Sequence, residues 1–118
     1  MPHRFVSHTQ QGSVRIVSLS LPELLESEEF GALNDALTEL IAQDPSGAWV
    51  LDLSHADYMG SSMLGLMVNV RQSVKHAHGT LVLCGMSPRL MEVFRACSLH
   101  QLFTIVGSRA EAVKRATR

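Results

Sequence analysis

The chain has no surplus of charge of either sign. Ten basic residues stand against eleven acidic ones, a formal net charge of −1. That balance gives no support to nucleic-acid binding, which needs a basic face. Cysteine is scarce. Cys84 and Cys97 are the only two, both in apolar contexts, and their spacing fits no zinc or redox motif. Two buried, reduced thiols are expected. No apolar run approaches the roughly 18 residues of a membrane span, and no basic-apolar-small signal peptide opens the chain. A cytoplasmic protein with no direct membrane insertion is expected. A Gly-x-x-x-x-Gly-Lys-Ser/Thr loop is also missing, which speaks against nucleotide binding by this chain. There is no internal repeat, low-complexity tract or linker.

What is present suits one globular domain over residues 1–118. Apolar residues make up 46% of the chain and charged residues 18%. A domain of this size buries roughly two-thirds of its unfolded surface and needs no disulfide or metal staple.

Read in order, residues 4–10 and 13–21 alternate as two strands around the turn signal Gln11-Gly12, a β-hairpin. The polar first strand suits a sheet edge. Ser27 is expected to cap a helix over 28–43, with Phe30, Leu33, Leu37, Leu40 and Ile41 at helical spacing. Residues 22–26 are expected to be irregular or one extra turn. Residues 48–53 read as a strand buried on both faces. A second helix is expected from Ser61 to about His76, with Gly79 as its left-handed terminating residue. Residues 80–84 read as a strand. A helix capped by Ser87, with Pro88 at its first position, follows. The chain ends in a short strand, 102–106, and a helix opened by the capping box Ser108-Arg109-Ala110-Glu111. Strands and helices that alternate with short connections build parallel sheets with right-handed crossovers. The expected fold class is α/β, a mixed sheet with an N-terminal hairpin and about four helices packed mainly on one face.

The most informative stretch is Tyr58-Met59-Gly60-Ser61-Ser62-Met63-Leu64-Gly65. It stands where a strand hands over to a helix. There the backbone N–H groups lack intrahelical partners and the helix dipole is positive. A serine at that point can cap the helix, and it can equally carry a phosphate, which the same groups favour. Ser61 is expected to be the cap. Met59 and Met63 are expected to fill core or to form a flexible apolar docking patch.

The other candidate chemistry is thin. The histidines His3, His8, His55, His76, His78 and His100 have no partners at ligand spacing, so no metal is expected. Ser61 or Ser62 with His55 and Asp57 supplies the residue types of a hydrolytic triad, but all fall in one short loop and no Gly-x-Ser-x-Gly elbow is present.

The block Val50-Leu51-Asp52-Leu53-Ser54-His55-Ala56-Asp57-Tyr58-Met59-Gly60-Ser61-Ser62-Met63-Leu64-Gly65 resembles the STAS domain of bacterial anti-sigma-factor antagonists. So do Thr80 to Pro88, then Phe94 and Leu99-Leu102-Phe103. The resemblance covers nearly the whole chain. It implies a regulator working through protein contact rather than an enzyme, with no cofactor of its own. The implied partner is an anti-sigma factor that is also a serine kinase. The implied phospho-acceptor is Ser61, with Ser62 beside it, and the implied contact set is Tyr58, Met59, Gly60, Ser61, Ser62, Met63 and Leu64. Two positions depart from the family pattern: Gly60 replaces an aspartate before the acceptor, and Met63 replaces a glycine two residues after it. The alternative partner is an ABC-type lipid transporter or a signalling scaffold, without a phosphate switch. A monomer or weak homodimer fits either reading.

Overall fold

The computed structural model describes residues 3–117. Their elements are β1 (Val6–Gln11), β2 (Val14–Ser20), α1 (Ser27–Ala42), β3 (Ala48–His55), α2 (Ser61–His76), β4 (Thr80–Cys84), α3 (Pro88–Ala96), a 3-10 turn (Leu99–Gln101), β5 (Thr104–Val106) and α4 (Arg109–Ala116). The five strands lie in sequence order. β1 runs antiparallel to β2, and β2 through β5 are parallel. The hairpin loop is two residues, with Gly12 at φ +61, as a loop opening on a left-handed residue requires.

Strand order explains where the helices go. Each crossover moves one strand further in the same direction. With right-handed connections, α1, α2 and α3 must then stack on one face. Trp49, Leu51 and Leu53 of β3 point into that layer, against Leu33 and Leu37 of α1, Met63, Met67 and Val70 of α2, and Leu90 and Phe94 of α3. α4 makes no crossover and returns to the other face. There Val14, Ile16, Val50, Val82, Cys84 and Val106 meet Ala112 and Ala116. β3 is therefore covered on both sides, as its unbroken apolar run predicts. The expected mixed sheet, hairpin and four helices are all present.

Several local expectations are corrected. Ser27 is the first residue of α1 rather than its cap. Glu26 caps it in a reciprocal box with Glu29, because a carboxylate satisfies the exposed N–H groups as a hydroxyl would. The left-handed residue ending α2 is His78 (φ +63), not Gly79. His78 N–H reaches the Lys75 carbonyl at 3.0 Å and Gly79 N–H reaches that of Val74 at 2.8 Å, the paired bonds of a Schellman stop. Glycine is required at 79 for a different reason: a Cβ there would collide with the carbonyls of Pro45 and Gly47. β5 starts at Thr104, two residues later than expected, since the 3-10 turn carries the chain to Leu102. Of the two cysteines, Cys84 is buried and Cys97 is exposed. Burial pushes the Cys84 thiol up to about 11, which keeps it protonated and inert.

Candidate functional site

α2 starts directly beyond the C-terminal end of β3, after a loop from Ala56 to Gly60. The expectation that Ser61 caps this helix is not met. The cap residue is Gly60, whose carbonyl accepts the first helical bond from Leu64 N–H at 3.0 Å. Hydrogen bonding thus begins one residue before the serine pair, and Ser61 and Ser62 are the first two helical positions. Gly60 has no side chain to offer, and the first turn holds no acidic residue. The leading N–H groups of α2 therefore lack a side-chain acceptor, and the positive end of the dipole is uncompensated. Both serines are exposed.

The rest of the stretch divides sharply by burial. Met59 (2% exposed) and Met63 (4%) belong to the core, as does Leu64. The flexible docking patch considered for the two methionines is thus not on the surface. They continue the helical stripe of Leu66, Met67, Val70 and Val74 onto the sheet. Tyr58, Gly60, Ser61 and Ser62 remain exposed. The two departures from the family pattern therefore differ in kind. Gly60 faces open space, with nothing within 4 Å of where a Cβ would stand. Met63 is a core side chain.

Beside the serines lies a cavity of about 330 Å³. One wall is the irregular connector between β2 and α1, with Leu21, Pro22, Glu23, Leu24 and Leu25. The other is Tyr58 to Met63. Arg89, at the start of α3, joins the two walls. Its guanidinium donates to Glu23 at 2.6 and 3.1 Å and to Asp57 at 3.1 Å, and it lies 5.1 Å above the Tyr58 ring. Asp57 is held below the usual carboxylate range, by the Ser87 hydroxyl first and by Arg89 next. Asp57 is thus engaged by Ser87 and Arg89 at the start of α3. Sequence reading missed Glu23, Leu24 and Arg89. The available signal was Leu24-Leu25, an apolar pair in a segment with no period, flanked by acids.

The triad arrangement is not assembled. The serines line the cavity, but neither His55 nor Asp57 does. No group of three or more histidine, cysteine or acidic side chains is placed to hold a metal among the described residues. No helix among them is long and apolar enough to cross a membrane.

The STAS-domain family model matches residues 7–112. This chain belongs to the STAS family. Within that family, it is 36% identical over 76 residues to BtrV of Bordetella bronchiseptica, a protein assigned as an anti-sigma factor antagonist. That alignment covers 63% of this chain and 66% of BtrV, just under two thirds of the relative. A Thermotoga maritima protein, also assigned as an anti-sigma factor antagonist, superposes with a TM-score of 0.85 at 19% identity, covering 98% of this chain and 97% of that one. The Bacillus cell-fate determinant SpoIIAA in its phosphorylated form superposes at 0.66 with 17% identity, covering 93% and 97%. These two likenesses establish the shared STAS fold.

Proposed function

We propose that this chain is an anti-sigma-factor antagonist. In this reading it binds an anti-sigma factor, which is also a serine kinase, through the start of α2, and phosphorylation of Ser61 (less favourably Ser62) releases it. The single observation that carries the reading is an exposed serine pair at a helix start with no side-chain cap, in a STAS domain similar to BtrV. A phosphoserine adds about −1.5 to −2 charges, which the free helix end accommodates beside unpaired N–H groups. A bound partner would have to desolvate that charge, so binding weakens without any refolding of the domain.

A second reading keeps the docking surface and drops the switch, the partner then being an ABC-type lipid transporter or a signalling scaffold. Gly60 favours it, because no acidic side chain flanks the acceptor.

The test is incubation with ATP and the serine-kinase anti-sigma factor of the same genome, followed by mass spectrometry and a binding assay. The first reading expects one phosphate on Ser61, tight binding beforehand and release afterwards. Binding without any phosphate on either serine keeps the anti-sigma factor as partner and removes the switch. No binding at all removes the first.

A further inference from the structure

The surface around the serine pair has a chemistry of its own. Only three large apolar side chains are exposed among the described residues: Leu24 (81%), Tyr58 (40%) and Leu102 (41%). Two of the three line the cavity next to Ser61 and Ser62. Leu24 stands out of an irregular connector that nothing in the local pattern requires to be apolar. The same connector and the first turn of α1 carry Glu23, Glu26, Glu28 and Glu29 with no basic residue among them. Asp57, next to Tyr58 but outside the cavity lining, adds a fifth carboxylate. Among the described residues, two guanidiniums pair with these five: Arg4, 3.4 Å from Glu29, and Arg89, shared between Glu23 and Asp57. A chain of net charge −1 thus concentrates a larger negative charge at this one end.

Arg89 also makes the notch a formed feature. One side chain ties the connector to the loop before α2 and covers Tyr58. The walls are set before anything binds, which lowers the ordering cost of association.

We propose that the protein partner of this site inserts an apolar side chain into the notch between Leu24 and Tyr58 and surrounds it with lysine or arginine side chains that meet the acidic rim. This rests on the reading of the α2 start as the partner-binding surface and specifies what the partner presents there. An apolar anchor ringed by complementary charge is how small interfaces obtain affinity and fast, steered association.

Binding of the same serine-kinase anti-sigma factor, without ATP, tests it. Leu24→Asp is expected to weaken binding at least about tenfold. Glu28→Lys, an exposed first-turn position of α1 next to the cavity-lining Ser27 and outside the capping box, is expected to weaken it about threefold or more. Raising salt from about 0.05 to about 0.3 M should weaken the wild type more than Glu28→Lys. Leu102→Asp, which removes an exposed apolar side chain outside this cavity (41% exposed against 81% for Leu24), should bind as the wild type does. Leu24 and Glu28 are exposed, and an unchanged melting curve verifies that each variant is folded. Wild-type binding that Leu24→Asp and Glu28→Lys leave untouched overturns this inference alone. Failure of the wild type to bind overturns it together with the functional reading beneath it.

Discussion

Arg109 Nε lies 2.9 Å from Asp52 Oδ2, and through that pair the last helix is fastened to the middle of the sheet. Arg109 opens α4, and Asp52 sits on β3 on the face that α4 covers. The same guanidinium reaches the Ser18 hydroxyl of β2 at 2.8 Å. Asp52 also accepts from the hydroxyl and the N–H of Ser54. The apolar part of the α4 contact is small, mainly Ala112 and Ala116. The polar latch therefore decides where this helix docks.

Removing the latch has an expected cost and a pH signature. Asp52→Asn and Arg109→Ala should each destabilise by about 1–2 kcal/mol, because Arg109 is half-exposed and can be rehydrated. Burial alone would raise the Asp52 carboxyl. The Ser54 bonds and Arg109 outweigh it and hold the group below its usual value of 3.8. The folded state thus favours the ionised form. That stability is fully present above the unfolded value and is lost as pH falls from about 4 toward the lower folded value. Melting curves between about pH 2 and 6 should show the wild type losing more stability than Asp52→Asn on acidification, with their difference narrowing below about pH 4.

The end of α2 predicts opposite outcomes at adjacent positions. His78 is left-handed and exposed, so His78→Gly should stabilise by up to about 1 kcal/mol. Gly79→Ala should destabilise by about 1–3 kcal/mol, because the new methyl meets backbone carbonyls that cannot move aside cheaply. Chemical denaturation of the two variants checks both signs.

Restoring the family residues at the two departures separates surface from core. Gly60→Asp enters open space at a cap position and should stabilise by about a few tenths of a kcal/mol. If the phosphate switch operates, the same change should raise the initial rate of phosphate incorporation severalfold in the kinase assay. Met63→Gly empties a core site in the first turn of α2, for a loss of about 3–5 kcal/mol. Equal tolerance of both changes in a thermal melt would contradict this division.

Gly65 lies exposed inside α2 with nothing near its missing Cβ. Gly65→Ala should therefore stabilise by about 0.5–1 kcal/mol through a less flexible unfolded chain. A melting temperature at or below that of the wild type would be the contrary result.

The periodicity of apolar residues was enough to determine most of the fold. Trp49-Val50-Leu51 announces a strand covered on both faces, and Met63, Met67, Val70 and Val74 announce the helix lying over it, because burial leaves its period in the sequence. The serine pair at the strand-to-helix junction was legible for the same local reason. What the sequence could not contain was set by contacts between distant segments. Met59 and Met63, candidate docking residues on the motif, are core because of how α2 lies on the sheet. Glu23, Asp57 and Arg89 are separated by up to 66 positions and meet only when α1's connector, the loop before α2 and α3 converge. Asp52 and Arg109, 57 positions apart, meet only once α4 crosses to the other face. Local pattern reports which faces are buried. Which charged side chains end up as neighbours depends on chain topology, and only the folded structure decides it.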